Sequence, residues 1–172
     1  YLKSSGGYGF RAPNKADRKA MKKAEEKIES NYELSQLLSV KRHVGPADRA
    51  YPYGIEEWRD AFSPRQLLSH YYIFKSFEHV KSDINEEYNT EKSEALISLL
   101  ALSCSKLIDR NSRLADWDTS KGYPNPMFKG NNFAFKRVFT DNNLTSGGND
   151  LRAQIRKISE SYEEVATYVE DR

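Results

Sequence analysis

Apolar residues recur at helical spacing in three stretches of the chain. They predict a core helix from Pro64 to about Asp83, and from about Thr90 the run SEALISLLALSCSKLI is apolar on nearly every side. The length of that run favours a central buried helix over a strand, with other helices around it. A third, narrow seam of apolar residues follows SGGND and predicts a helix that packs on the core or on a partner. The seam consists of Leu151, Ile155, Ile158, Tyr162, Val165 and Val169.

Side-chain caps mark where two helices begin. Asn14 can cap a helix over ADRKAMKKAEEKIES, whose thin apolar stripe predicts a surface helix laid on the body of the domain. In FSPRQLL, Ser63 can cap, Pro64 occupies the first helical position, and Gln66 completes an S-x-x-Q capping box. Both starts are therefore predicted from side-chain chemistry as well as from periodicity.

Pro, Gly, Asn and Asp interrupt the periodic stretches. The segment KRHVGPADRAYPYG predicts a loop of about a dozen residues, which is long for a passive connection. A second long loop, ADWDTSKGYPNPMFKGNN, begins after Leu114, and the FAFKRVF that follows it fits either a short strand or one helical turn. Residues 1–12 predict a flexible start, because GGYGF has neither a preceding strand nor the G-x-G-x-x-G spacing of a cofactor loop.

These elements predict a mainly α fold. We expect one helical domain over residues 1–172, with a central buried helix, long loops, and at most a short strand or hairpin. With 172 residues, of which 38% are hydrophobic, the chain can bury one ordinary core. It does not begin with methionine, so we expect it to be part of a longer protein, with residues 149–172 as a terminal helix.

Charge and cysteine content narrow the class of protein. The net charge is only +2, but residues 1–44 hold ten Lys or Arg against five Asp or Glu, which makes the first third the more favourable face for a polyanion. No run approaches the roughly 18 apolar residues of a membrane span, so we expect no membrane partner. The single cysteine, Cys104, excludes an internal disulfide and favours an intracellular, cytoplasmic location.

The residue types that carry catalysis or bind metals do not occur at useful spacings. Cys104 lies inside the most apolar predicted helix, where a reactive thiolate is disfavoured. His43, His70 and His79 form no pair that would place two ligands on one helical face. Adjacent carboxylates split between the faces of a helix and cannot converge on a substrate. We therefore predict no catalytic residue, no metal and no cofactor for this chain.

Basic and aromatic residues are interspersed in the second long loop and just after it. Aromatic rings stack on unpaired or flipped bases while Lys and Arg hold phosphates, so this pattern is a candidate nucleic-acid site. The commoner arrangement, with the phenylalanines in the core and the lysines on the surface, stays open. Arg65 and Arg113, at helix ends, are further candidates, and Arg65 is the better one because a helix start does not by itself stabilise a cation. The loop candidates are Lys121, Tyr123, Phe128, Lys129, Phe133, Lys136 and Arg137.

Three stretches together resemble the large adenine-specific DNA methylases, some of which carry a zinc ribbon. YGIEEWRDAFSPRQLLSHY is similar to the W-x-D-L-F-T-P-R-Q-L-L segment of that family, and LSCSKLIDRNSRLADWD and FKGNNFAFKRVF are similar to the segments that follow it. GYGFRAPNKADRKAMKKAEE matches the preceding stretch, so the resemblance covers about residues 7–145, without the zinc ribbon. The residues that match the pattern are Trp58, Arg65, Gln66, Asn111, Ser112, Arg113, Trp117, Phe135 and Lys136.

The resemblance implies a place inside a larger enzyme. In that family this segment lies between the cofactor-binding glycine motif and the catalytic motif with paired prolines. S-adenosylmethionine would then be the cofactor of a parent enzyme that methylates adenine N6 in DNA, as part of a restriction-modification system. The partners would be DNA and the remaining methyltransferase domains. Two roles stay open: a helical region that aids DNA binding or target recognition, and a structural or protein-interaction module that docks on the methyltransferase body.

Overall fold

The computed structural model describes residues 2–4, 7–9, 12–43, 45, 48–118, 120, 122–128, 139–146 and 149–170. Within them the chain is mainly α-helical, as the sequence predicts, with short hairpins and two 3-10 turns, Tyr51–Tyr53 and Trp58–Ala61. No helix among these residues is long and apolar enough to cross a membrane. In chain order the elements are β1 (Leu2–Ser4), β2 (Gly7–Gly9), α1 (Lys15–Glu29), α2 (Tyr32–Gln36), α3 (Pro64–Glu87), α4 (Thr90–Arg110), β3 (Trp117–Asp118), β4 (Tyr123–Pro124) and α5 (Leu151–Glu170).

The two predicted helix starts are confirmed by their capping geometry. The Asn14 side chain accepts hydrogen bonds from the backbone N–H groups of Ala16 at 2.8 Å and Asp17 at 3.1 Å. Ser63 and Gln66 form the predicted capping box: Gln66 N–H donates to Ser63 Oγ at 3.3 Å, and Ser63 N–H donates to Gln66 Oε1 at 2.8 Å. These bonds satisfy backbone donors that the first turn of a helix leaves without intrahelical partners.

Helix α3 is longer than its pattern of apolar residues predicts. It continues to Glu87 instead of stopping near Asp83, because Asn and Glu are tolerated in a helix and neither Gly nor Pro intervenes. Tyr88 ends it, and the Asn89 side chain accepts from Lys92 N–H at 3.0 Å to cap α4. A connection this short makes α3 and α4 antiparallel neighbours.

The prediction of a central buried helix is wrong for α4, and α3 is a core helix only in its first two turns. The helices pack in the order α1, α3, α4 and α5, so α4 contacts α3 on one side and α5 on the other. Side chains outside these contacts meet solvent: Leu102 on α4 is 58% exposed, and Phe74 and Val80 on α3 are 37% and 42% exposed. The pattern of apolar residues shows how apolar a helix is, but it does not show how many neighbouring helices cover it.

The core lies at one end of the α3–α4 pair. We call this end the base: the first two turns of α3, the last two turns of α4, and the α2 and loop residues packed on them. The long loop before α3 contributes the fully buried Ala50, and the long loop after α4 contributes the fully buried Ala115. Both long loops therefore supply core residues. The main cluster of buried residues is Ile28, Leu34, Ala50, Ile55, Ala61, Phe62, Leu67, Tyr71, Leu114, Ala115 and Met127.

We call the opposite end the tip: residues 75–95 together with residues 160–169 of α5. The segment before α5 is held at the base, where Asn142 N–H donates to the side chain of Asn111 at 2.9 Å, and Leu151 N–H at the start of α5 donates to the Leu144 carbonyl of that segment at 3.0 Å. The groove between α5 and α4 extends to Lys92, in the first turn of α4. Helix α5 therefore runs antiparallel to α4 and ends at the tip.

Two hairpins complete the described part of the chain. Strands β1 and β2 pair antiparallel within the residues for which the sequence predicts a flexible start. In the second long loop β3 pairs with β4, and Trp117 lies opposite Pro124. Phe139 forms an isolated bridge with Asp116, while residues 133–138 of FAFKRVF lie outside the described residues.

Candidate functional site

The strings RQL (residues 65–67) and RNSR (residues 110–113), which belong to the family-like segments, meet at the base. Gln66 and Asn111 are in contact there although 45 residues separate them. Both side chains are 0% exposed, and Gln66 Nε2 donates to Asn111 Oδ1 at 3.4 Å and to the backbone carbonyl of Thr140. Asn111 Oδ1 also accepts from Asn142 N–H at 2.9 Å. The start of α3, the end of α4 and the segment 139–146 are thereby joined through buried amides.

The backbone of Asn111 is also held from α3. His70 follows Gln66 by one turn and is 4% exposed, and its Nε2 lies 3.0 Å from the Asn111 carbonyl oxygen, so Nε2 carries the proton and donates. Burial lowers the pKa of His70, and the bond to the carbonyl offsets only part of that effect. The folded chain therefore favours the neutral form of the His70 imidazole.

Two buried donors at the end of α4 have no acceptor among the described residues. One is Nδ2 of Asn111, and the other is Nε of Arg110, whose guanidinium carbon lies 5.6 Å from the Tyr123 ring centroid. A buried donor without a partner costs about 1–3 kcal/mol, so such groups are rare. Both lie at the end of α4, so the folded base bears this cost there.

Residues beside Asn111 position the second long loop. Asp109 Oδ1 accepts from Phe128 N–H at 3.0 Å, and the Asp109 carbonyl accepts from Met127 N–H at 2.6 Å. Ser112 is 0% exposed, and its Oγ lies 3.4 Å from Met127 Sδ. The motif residues Asn111 and Ser112 are therefore structural parts of the base.

Three residues that form these buried hydrogen bonds could not be identified from the sequence. The bonds around Gln66 and Asn111 and at the end of α4 reach across 15 to 74 residues, and a single Asp, His or Thr forms no local pattern that would indicate them. These residues are His70, Asp109 and Thr140.

The two arginine candidates at helix ends both make contacts within the chain. Arg113 Nη1 donates to the Asp60 carbonyl at 3.0 Å, and Arg113 N–H donates to the Ala61 carbonyl at 2.7 Å. Arg65 Nε lies 3.5 Å from Asp141 Oδ2, and 42% of the Arg65 side chain is exposed. Burial raises the pKa of Asp141, although Arg65 opposes the shift. Arg113 thus helps to hold the loop before α3, whereas Arg65 keeps surface with which it can meet a ligand.

The described aromatic candidates differ in exposure. Phe128 is 61% exposed, whereas Tyr123 is half-buried in the β3–β4 hairpin beside the Arg110 guanidinium. Of the motif tryptophans, Trp58 lies under the Arg42 guanidinium at 5.4 Å, and Trp117 belongs to β3. Phe128 is therefore the most exposed of these four rings.

The remaining sequence candidates lie outside the described residues, and their part in a nucleic-acid site stays a prediction. They are Lys121, Lys129, Phe133, Phe135, Lys136 and Arg137.

The apolar seam of α5 divides into two halves. Ile155, Ile158 and one edge of Tyr162 line a groove of about 400 Å³ against α4. Towards the tip the seam opens to solvent: Tyr162 is 60% exposed, Val165 is 62% exposed and Val169 is 65% exposed. A row of large apolar side chains exposed on one helix face is typical of a contact surface.

Acidic residues surround the open half of the seam. Residues 75–95 hold six Asp or Glu against three Lys, and residues 160–169 hold three Glu and no Lys or Arg. The described residues of 40–66 and 106–146, which contribute to the base, hold eight Lys or Arg and eight Asp or Glu. The tip is thus an apolar and acidic surface, and its charge repels polyanions.

The thiol and the potential metal ligands offer little chemistry where the structure describes them. Cys104 is buried, and burial raises the pKa of its thiol, which disfavours the reactive thiolate. Across the described ranges, no three His, Cys, Asp or Glu side chains are grouped so that they could hold a metal ion.

No family model, no curated protein and no solved structure matches the chain.

Proposed function

We propose that the chain is the non-catalytic helical region of an S-adenosylmethionine-dependent, adenine-specific DNA methyltransferase, and that its tip docks on the rest of that enzyme. The docking role is carried by the open half of the α5 seam, where Tyr162, Val165 and Val169 are each at least 60% exposed on one helix face. The link to the methyltransferase is supported by the motif resemblance. Such an enzyme would act on DNA in the cytoplasm.

Burial of the open half-seam on a partner would stabilise the complex. Burying one side chain of the size of Val or Phe contributes about 1.5–3 kcal/mol relative to leaving it exposed. Small side chains flank the seam at Ser159, Ser161 and Ala166, so another element can approach the helix closely. A short helix face can therefore form the centre of an interface.

The charge around the seam selects the chemistry of the partner. Glu160, Glu163 and Glu164 lie on the same part of α5, so the complementary surface is an apolar groove with Lys or Arg at its rim. DNA is disfavoured at this end because it is itself polyanionic. A second copy of the chain is disfavoured too, because it would bring two acidic tips together.

Expression of this chain together with the remaining methyltransferase domains, as a separate polypeptide, tests the docking role. The two should purify as an equimolar complex, and Val165→Asp should weaken it about tenfold or more, because it places a carboxylate in an apolar contact. Val40→Asp is the matched control, since Val40 lies at the base and is 64% exposed, against 62% for Val165. Equal affinity of the wild-type and Val165→Asp chains, or self-association through α5, would contradict the proposal.

DNA contact at the base is the second candidate function, and the exposure of Phe128 favours it. The ring is 61% exposed while the Phe128 N–H is held by Asp109 at 3.0 Å, so it is presented to solvent from a fixed backbone. In this role the ring would stack on an unpaired or flipped base, and exposed cations of the base such as Arg65 would contact phosphates.

A further inference from the structure

The loop that joins α2 to α3 forms a concave surface at the base, separate from the α5 seam. Its cavity of about 410 Å³ falls within the range of ligand pockets, about 300–1,000 Å³. We call it the loop cavity. The described residues that line it are Lys41, Arg42, His43, Tyr51 and Glu56.

Arg42 anchors the loop cavity. It is 5% exposed, its Nη1 donates to the Ile55 carbonyl at 2.7 Å, and its Nη2 contacts the Asp48 carboxylate. Its guanidinium also lies over the Trp58 ring at 5.4 Å. Asp48 in turn accepts from Tyr51 N–H at 3.0 Å. Because a buried, charge-assisted network holds the loop, the cavity does not depend on the chance arrangement of surface side chains.

Two tyrosines stand exposed at and beside this cavity. Tyr51 is 45% exposed and Tyr53 is 59% exposed, and both belong to the 3-10 turn Tyr51–Tyr53 with Pro52 between them. Gly54 ends the turn at φ 79°, a left-handed conformation in which a side chain would be strained. Rings that project from a fixed turn lose little conformational freedom on binding, so they are pre-organised for stacking.

We propose that the loop cavity binds single-stranded nucleic acid. Tyr51 stacks on a base inside the cavity and Tyr53, outside its lining, stacks on a flanking base, while the exposed Lys41 and Arg49 hold the phosphates. This proposal is independent of docking through the α5 seam. The two surfaces lie at opposite ends of α3, whose 24 residues span about 36 Å.

Glu56 gives the cavity a preference among bases. A carboxylate accepts hydrogen bonds and donates none, so an exocyclic amino group of cytosine or adenine suits it, whereas thymine carries no such group. A phosphate is repelled by Glu56 and attracted by Lys41. The strand is therefore oriented with a base towards Glu56 and its backbone towards Lys41.

Fluorescence anisotropy with labelled strands of dC, dA and dT tests the proposal, with strands of about 12 nucleotides and a duplex of the same length. The dC and dA strands should bind more tightly than the dT strand and the duplex, and every affinity should fall as salt rises. The double variant Tyr51→Ala, Tyr53→Ala should lose about tenfold or more in affinity, because it removes the stacking surfaces.

Control variants separate stacking from folding and from the Phe128 surface. Tyr32→Ala, at a tyrosine that is 82% exposed on α2, should bind as the wild type does. Tyr51→Phe should also keep its affinity, because the ring remains, whereas Glu56→Ala should reduce the preference for dC over dT. The proposal is overturned if nothing binds at low salt, if the duplex binds most tightly, or if the double alanine variant, folded by circular dichroism, binds normally. Loss of affinity in Phe128→Ala alone would assign the nucleic acid to the second candidate surface instead.

Discussion

The buried amide of Gln66 bonds to both Asn111 and Thr140, and this arrangement explains why two polar side chains occupy the least exposed positions of the base. A buried polar group that loses its partner costs about 1–3 kcal/mol, so each bond has to be made in the folded chain. A network of this kind favours one arrangement, because a shifted packing of α3 on α4 would leave several donors and acceptors unpaired at once. The RQL and RNSR strings therefore encode how two helices meet.

His70 makes this network sensitive to pH. Its pKa is lowered by burial from the ordinary value of 6.5, so the unfolded chain takes up a proton at a higher pH than the folded chain does. The stability that the neutral ring contributes is present above about pH 6.5 and is lost as the pH falls through the lowered pKa. We expect the urea midpoint of unfolding to decrease when the pH is lowered from about 7.5 to about 5.5.

His70→Gln should flatten this pH dependence, because the amide can still donate to the carbonyl but does not titrate. His79→Gln, at an exposed position further along α3, should leave it unchanged. Asp141, whose pKa is raised by burial, acts with the opposite sign and stabilises the fold as the pH falls. A wild-type slope that persists in His70→Gln would show that another group is responsible.

At the scale of the elements, helix starts follow from local sequence, whereas helix environments do not. Asn14 and Ser63 bond to backbone N–H groups three residues away, a span that local sequence contains. The exposure of α4 depends on which helices lie beside it. Its apolar composition alone suggests burial, yet Leu102 is 58% exposed because neighbours cover only part of the helix.

For the candidate sites, too, the sequence indicates some of the residues, but only the fold shows which of them are in contact. Gln66 and Asn111 stand out in the sequence because helix propensity requires neither, but their bonds cross 45 and 74 residues, so their role is visible only in the fold. The loop cavity is absent from the sequence candidates for the same reason. Lys41 and Tyr51 share a surface only because Arg42 holds the loop together.

The α5 seam allows buried and exposed apolar positions to be compared on a single helix. Ile158 lines the groove against α4, whereas Val165, two turns further on, is 62% exposed. We expect Ile158→Ala to lower the free energy of unfolding by about 1–2 kcal/mol, and Val165→Ala to change it by less than about 0.5 kcal/mol, in urea titrations of the isolated chain. Equal losses would mean that the seam is packed along its whole length.

Over the whole molecule, packing and charge change together along the α3–α4 pair. The base contains the main hydrophobic cluster, the amide network and the loop cavity, and its described residues in the segments 40–66 and 106–146 hold equal numbers of basic and acidic side chains. The tip is acidic and presents the open half of the seam. Two surfaces of different character, at opposite ends of a helix about 36 Å long, suit two different partners that bind without excluding one another.

Hydrogen exchange should show the same difference between base and tip: amides at the base should be protected, and amides at the tip end of α5 should exchange faster. Amides in the first two turns of α3 and the last two turns of α4 are enclosed by the main cluster, so they exchange only when much of the fold opens. The last two turns of α5 have exposed apolar side chains and little tertiary packing, so they should open at low free energy. Mass spectrometry of peptides from α5 and from the start of α3 measures the difference.

Partners at the two ends should then protect different peptides. A partner that docks on the open half of the α5 seam should slow exchange over residues 162–169 and leave residues 41–56 unchanged, and a dC strand should do the reverse. Helix α3 links the two surfaces without a Gly or a Pro after its first residue, so it has no hinge through which one end could switch the other. Slowing of both peptides by a single partner would instead mean that base and tip respond as one unit, and the two surfaces could not then be independent sites.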